Sequence, residues 1–155
     1  TAGEVQQIAK RINPAKIVVD TTGLGAGLYD RLRELMGDKV EGVNFGSRAY
    51  NSQNFANRRA EMWDNLRQWF DDPAGVQVPD SDEFQGDVCS VVRGPGATRF
   101  NSSGQLVLEP KEHVKERLTF SPDLGDASAL THAVEIIQEV HSNDDEPMDS
   151  GWMAA

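Results

Sequence analysis

Three consecutive β-branched residues, Ile17, Val18 and Val19, stand between two stretches in which apolar residues recur at helical spacing. An unbroken run of this kind has the composition of a short strand covered on both faces. Upstream, Val5, Ile8, Ala9 and Ile12 form one stripe and predict a helix over 2–12, which Asn13 and Pro14 end. Downstream, the turn residues Thr21, Thr22, Gly23, Gly25 and Gly27 lead into Leu28, Leu32, Leu35 and Met36, a second helix over 24–36. Gly37 and Asp38 break the chain, and 40–45 reads as a second strand. This αβαβ order predicts a partly parallel sheet.

The second half of the chain is helix-rich. Residues 46–54 form a polar loop carrying Arg48 and Tyr50. The longest periodic stretch, 55–70, has Phe55, Met62, Leu66, Trp69 and Phe70 on its apolar face, and Arg58, Arg59 and Glu61 project elsewhere. Phe84, Val88 and Val91 predict a helix over 81–92. A Gly-Pro-Gly loop at 94–96 follows, then a hairpin in which 99–100 and 105–108 flank Asn101-Ser102-Ser103-Gly104. Residues 111–117 read as a short charged helix. Ser121, Pro122 and Asp123 then supply a cap, a first helical residue and a first-turn acid. The helix they open runs to about residue 140 through Leu124, Ala127, Leu130, Ala133, Val134 and Ile137. The division is one domain over 1–140 and an acidic, disordered tail over 141–155, in which Trp152 and Met153 stand out as residues that dock onto a partner. No internal repeat is visible.

Composition narrows the function classes. The 155 residues suffice for one domain with a core, and a mean hydropathy of -0.52 reads as a soluble protein. No run approaches the ~20 apolar residues that span a bilayer. The single cysteine, Cys89, excludes an internal disulfide and a multi-cysteine zinc site, which suits a reducing cytoplasm. A net charge of -10 argues against a binder that grips nucleic acid over its whole surface. It leaves room for an enzyme that holds divalent cations in an acidic pocket and meets DNA on a local basic rim.

The candidate chemistry lies in three acids. Asp20 ends the first strand, where it either mounts a functional carboxylate or caps the following turn. Asp123 and Asp126 share the first turn of the last helix, where acids also complement the helix dipole. The small residues Ala127, Ser128 and Ala129 beside Asp126 suggest that something approaches closely. Together the three acids would make an all-oxygen cluster suited to Mg²⁺ or Mn²⁺ and not to zinc. Two such ions would support phosphodiester hydrolysis. The glycines at 23, 25 and 27 do not match a dinucleotide or P-loop spacing. His113, His132 and His141 have no metal-ligand spacing, and no serine-hydrolase motif is present. Arg58, Arg59, Lys111, Lys115 and Arg117 are the candidate phosphate contacts.

Taken together, IVVDTTGLGAGLYDRLREL, NRRAEMWDNLRQWF and LEPKEHVKERLTFSPDLGDASAL resemble the C-terminal nuclease domain of a tailed-phage terminase large subunit. The resemblance covers roughly residues 2–140. It implies an α/β, RNase H-like fold, a mixed sheet flanked by helices, related to the RuvC resolvases. In that family one acid lies on the first strand, a second ends a central strand and a third opens the C-terminal helix. Asp20 matches the second and Asp126 the third, and Asp123 sits where related nucleases place an auxiliary acid or histidine. The family's first strands, with their acid, have no counterpart here, so the expectation is a domain incomplete at its N-terminus. The implied activity is metal-dependent cleavage of concatemeric double-stranded DNA with two Mg²⁺ or Mn²⁺ ions. The implied partners are DNA, the small terminase subunit and the portal protein, in the cytoplasm of a bacterial host. A related junction resolvase, or a non-catalytic module docking on portal or small subunit, would share many of these features.

Overall fold

The computed structural model describes residues 1–91, 100–119 and 121–136, with Lys111 and Leu118 described by their backbone. The expected loop at 94–96, Arg99, the end of the last helix from Ile137, and the tail with Trp152 and Met153 lie outside the described residues.

Helix α1, Ala2–Ile12, opens with a capping box in which Thr1 and Glu4 satisfy each other's backbone N–H groups. It ends where Asn13 turns left-handed at φ 44°. Strand β1, Ile17–Asp20, follows, then α2, Gly25–Met36, a 3₁₀ turn at Gly37–Lys39, and β2, Val40–Val43. β1 and β2 pair in parallel, Ile17 against Val40 and Asp20 against Val43, and Thr21 extends the ladder by donating to the Val43 carbonyl. Parallel strands expose no free face, and both faces here are covered. Ile17, Val19 and Val40 pack with Leu32, Tyr29 and Met36 of α2 and with Ala2 and Val5 of α1. Val18 and Val43 point the other way, into a larger cluster with Met62, Trp63, Leu66, Ala129 and Leu130. The expected α/β class and partly parallel sheet are therefore present. Among the described residues the sheet has these two parallel strands and no antiparallel one, so the mixed sheet that was expected is not seen there. The predicted hairpin forms one isolated antiparallel bridge, Phe100 with Leu106, around a turn closed at Gly104.

The larger cluster is built from α3, Arg58–Phe70, α4, Asp82–Ser90, and α6, Asp123–Leu130, with α5, Lys111–Leu118, alongside. Helix α3 starts three residues later than the apolar spacing predicts. Phe55 bridges to Leu106, and Asn57 caps the helix by accepting from the Ala60 N–H at 2.9 Å. Helix α6 is also shorter than expected. It ends at Leu130, and Thr131, His132 and Ala133 continue in tight i→i+3 turns. The Ala133 carbonyl accepts from the buried Arg58 guanidinium, which holds the chain away from a helical continuation.

Candidate functional site

Side chains alternate along a strand, so Asp20 lies on the same face as Val18, the face covered by α3 and α6. Helix α6 packs directly against β1. The half-buried Asp20 accepts from the Thr22 N–H at 2.9 Å, so it does fill the turn-capping role. The start of α2 presses on the same strand end. A Cβ on Gly25 would lie 1.8 Å from the Asp20 carbonyl oxygen, so only glycine lets the helix begin there.

Asp123 and Asp126 separate. Asp123 is exposed, whereas Asp126 is buried against α3. One Asp126 oxygen accepts from Trp63 Nε1 at 3.0 Å and from Arg59 Nε at 3.3 Å. The small residue preceding Asp126 answers to the same neighbour. A Cβ on Gly125 would meet the Trp63 ring at 2.8 Å and the Asp87 carbonyl at 3.1 Å. What approaches closely at this position is thus the protein's own core. The expected Ser121 cap of the last helix is replaced as well. Pro122 takes the cap position without a side-chain hydrogen bond, and the buried Asp87 of α4 accepts from the Leu124 N–H at 2.8 Å. A carboxylate from a neighbouring helix therefore satisfies a first-turn N–H that a serine hydroxyl was expected to reach.

The two arginines expected to meet phosphate are buried instead. Arg58 bonds Glu61 at 2.5 Å, reaches the Ala133 carbonyl and lies 3.7 Å from the centre of the Tyr50 ring. Arg59 reaches Asp126 and donates to the Glu109 carbonyl at 3.0 Å. Burial requires such partners, because an unpaired guanidinium in the interior is costly. Glu61 also accepts from the backbone N–H groups of Tyr50 and Asn51 at 2.9 and 2.8 Å. Burial pushes the Glu61 carboxyl up, but the Asn51 and Tyr50 N–H groups and Arg58 outweigh it and hold its pKa below the ordinary value. Arg117 pairs with the buried Glu109 at 2.6 Å and donates to the Ser90 carbonyl at 2.8 Å. Its hydrogen bond is the main cause that holds Glu109 below the usual carboxylate range. Of the five cations proposed for DNA, Lys115 is exposed on α5, Arg117 is occupied by Glu109, and Lys111 opens α5.

As arranged, the acids do not fit a resident metal ion. Among the described residues, no group of three or more His, Cys, Asp or Glu side chains could hold one. The expected cluster of Asp20, Asp123 and Asp126 is not assembled: Asp123 faces solvent, and the positive charge beside Asp126 is the Arg59 guanidinium. The residues missed from sequence are Trp63, Asp87 and Glu109. Trp63 has a signal, since it stands four residues after Arg59 and next to the apolar Met62. Asp87 and Glu109 have none, because their partners lie in other elements.

No protein-family model and no curated protein matches the sequence. Solved structures do match. The nuclease domain of the large terminase subunit gp2 of bacterial virus Sf6 superposes with a TM-score of 0.64 at 19% identity, over 88% of this chain and 72% of that one. A lysine-to-alanine variant of that domain, solved with manganese, gives 0.65 at 18% identity over 87% and 72%. The same variant solved with calcium gives 0.61 at 20% identity over 87% and 71%. Helices on both faces of the β1–β2 pair, with α6 against β1, are thus set in a known architecture, and the chain has the fold of a phage large-terminase nuclease domain, as the sequence resemblance implies.

Proposed function

We propose that this chain is the nuclease part of a viral DNA-packaging terminase, an RNase H-like endonuclease that cuts concatemeric double-stranded DNA with Mg²⁺ or Mn²⁺, two ions in the working state. Its partners would be the small terminase subunit and the portal protein in the cytoplasm of the infected bacterium. The observation that supports this most is the likeness of fold to the Sf6 nuclease domain over 88% of the chain. The manganese and calcium in the neighbouring structures support a divalent cation. Asp20 adds a carboxylate at the end of a buried strand, on the face that α6 covers, which is a usual place for functional groups in α/β folds.

Asp20 and Asp126 are the acids proposed to act, with Asp123 as an auxiliary. Of the five proposed cations, Lys115, exposed on α5, is free to meet phosphate in this arrangement, and Lys111 at the start of that helix remains a candidate. The test is cleavage of supercoiled plasmid by the full-length protein in Mn²⁺. Cleavage should stop on chelation and in Asp20→Asn. Cleavage that persists in both would overturn the proposal.

A further inference from the structure

We propose that the corner of the domain where both strands begin, carrying Lys10, Arg11, Lys16 and Lys39, holds the phosphate backbone of duplex DNA without reading its sequence. The inference deepens the nuclease proposal and rests on it for the identity of the polyanion. The corner lies at the opposite end of β1 from Asp20, so it grips DNA beside the cut and not at it.

The register of the sheet builds this corner. Ile17 pairs with Val40, so the preceding residues, Lys16 and Lys39, enter the two strands side by side. Lys39 Nζ donates to Asn13 Oδ1 at 2.8 Å, which ties the end of α1, with Lys10 and Arg11 in its last turn, to the same place. Lys16 Nζ donates to the Asp38 carbonyl at 2.8 Å. Both acceptors are neutral oxygens, so the bonds fix the ammonium groups and leave their charge standing. Lys10 and Arg11 are exposed and make no side-chain hydrogen bond or ion pair among the described residues. The Asp38 carboxylate is taken by Arg33 at 2.7 Å. Glu41 shares the Val43 side of the sheet, away from α1 and α2.

Uncompensated positive charge is thus concentrated at one corner of a chain whose net charge is -10. Arg58, Arg59 and Arg117 differ, since each of them faces a carboxylate. A cation at the end of α1 also complements the helix dipole, but that accounts for Lys10 and Arg11 and leaves Lys16 and Lys39 unexplained. All but Arg11 are lysines, point charges that suit phosphate in any orientation, whereas the planar forks that select carboxylate come from arginine. This favours a nucleic-acid backbone over an acidic protein. Lys16 stands about 13 Å along the strand from Asp20. Duplex DNA presents a charge about every 1.7 Å of its axis, so one duplex spans the corner and the acid end together.

The experiment follows a labelled random-sequence duplex by fluorescence anisotropy, with the full-length protein in EDTA, between about 0.05 and 0.2 M salt. Lys10→Gln combined with Arg11→Gln should weaken binding by about tenfold or more and reduce the salt slope by about 2. Arg31→Gln combined with Arg67→Gln removes the same charge from arginines already paired with carboxylates, and should leave the slope unchanged. Equal slopes for wild type and the Lys10/Arg11 variant would overturn the proposal. If that variant does not fold, Lys16→Gln should reduce the slope by about 1, and no reduction would overturn the proposal equally. Loss of poly-glutamate binding with duplex binding unchanged would overturn it in favour of an acidic protein partner. Plasmid cleavage separates the two ideas. Mn²⁺-dependent cleavage by wild type, with equal slopes or no duplex binding in EDTA, removes the docking surface and leaves the nuclease. A reduced slope without cleavage, or with cleavage that persists in chelator and in Asp20→Asn, does the reverse. Neither duplex binding nor cleavage by wild type removes both.

Discussion

Two glycines in the first turn of α2 should respond to the same substitution with opposite signs. Gly25→Ala places a methyl carbon 1.8 Å from the Asp20 carbonyl oxygen and 2.9 Å from its carbon. Both are backbone atoms of β1, so no side chain can swing aside, and the helix start must retreat by about an ångström or more. Overpacking of this kind costs about 1–3 kcal/mol and sometimes more. The gain from replacing glycine by alanine in a helix is at most about 0.8–1 kcal/mol, and less at the first position. The net loss is therefore about 1–2 kcal/mol, or a fall of roughly 2–8 °C in Tm for a chain of this size. Gly27→Ala meets nothing within 4 Å. It gains helix propensity and loses unfolded-state entropy, so it should stabilise by about 0.5–1 kcal/mol. Urea unfolding of the two variants beside wild type measures both. A Gly25→Ala protein as stable as wild type would refute the claim that α2 is wedged against the strand end carrying Asp20.

The acids of α6 should also part company under mutation. Asp126→Asn leaves the buried Arg59 without its anion and should cost about 3 kcal/mol. The exposed Asp123→Asn should lose only about 0.3–1 kcal/mol of dipole complementation, and equal losses in urea unfolding would contradict the burial difference. Glu61 gives a pH signature. Its pKa is depressed in the fold, so its contribution is fully present above the ordinary value of 4.5 and disappears as pH falls through the folded value. Glu61→Gln should therefore flatten the acid limb of the stability profile, and an unchanged limb would assign acid unfolding to other groups.

How much of this was legible in the sequence depends on how local the cause is. The β1 strand is legible because three β-branched residues need only each other's company and two covered faces, and both faces are covered. Helices α1 and α4 are legible because their apolar spacing is local, and the caps the structure adds, Thr1 and Ser81, lie three residues from their partners. The start of α3 is not. Arg58, Arg59 and Glu61 look like a solvated face, yet their partners Ala133, Asp126 and Tyr50 come from distant parts of the chain. Hydrophobic periodicity has no means of announcing that a charged turn is buried by charges elsewhere. For the same reason Asp126 reads as an acid awaiting a cation, while the cation it has is an arginine of α3. The close approach that the structure shows beside it is at Gly125, and the approaching group is Trp63.

The central claim, that an acid at the end of β1 and an acid at the start of α6 serve a divalent ion in DNA cleavage, is met most directly by locating the ion. Crystals of the protein soaked in Mn²⁺ and measured at the manganese edge give its position from anomalous scattering alone. The account predicts a peak at the carboxylates of Asp20 and Asp126. No peak there at Mn²⁺ concentrations that support cleavage would contradict it.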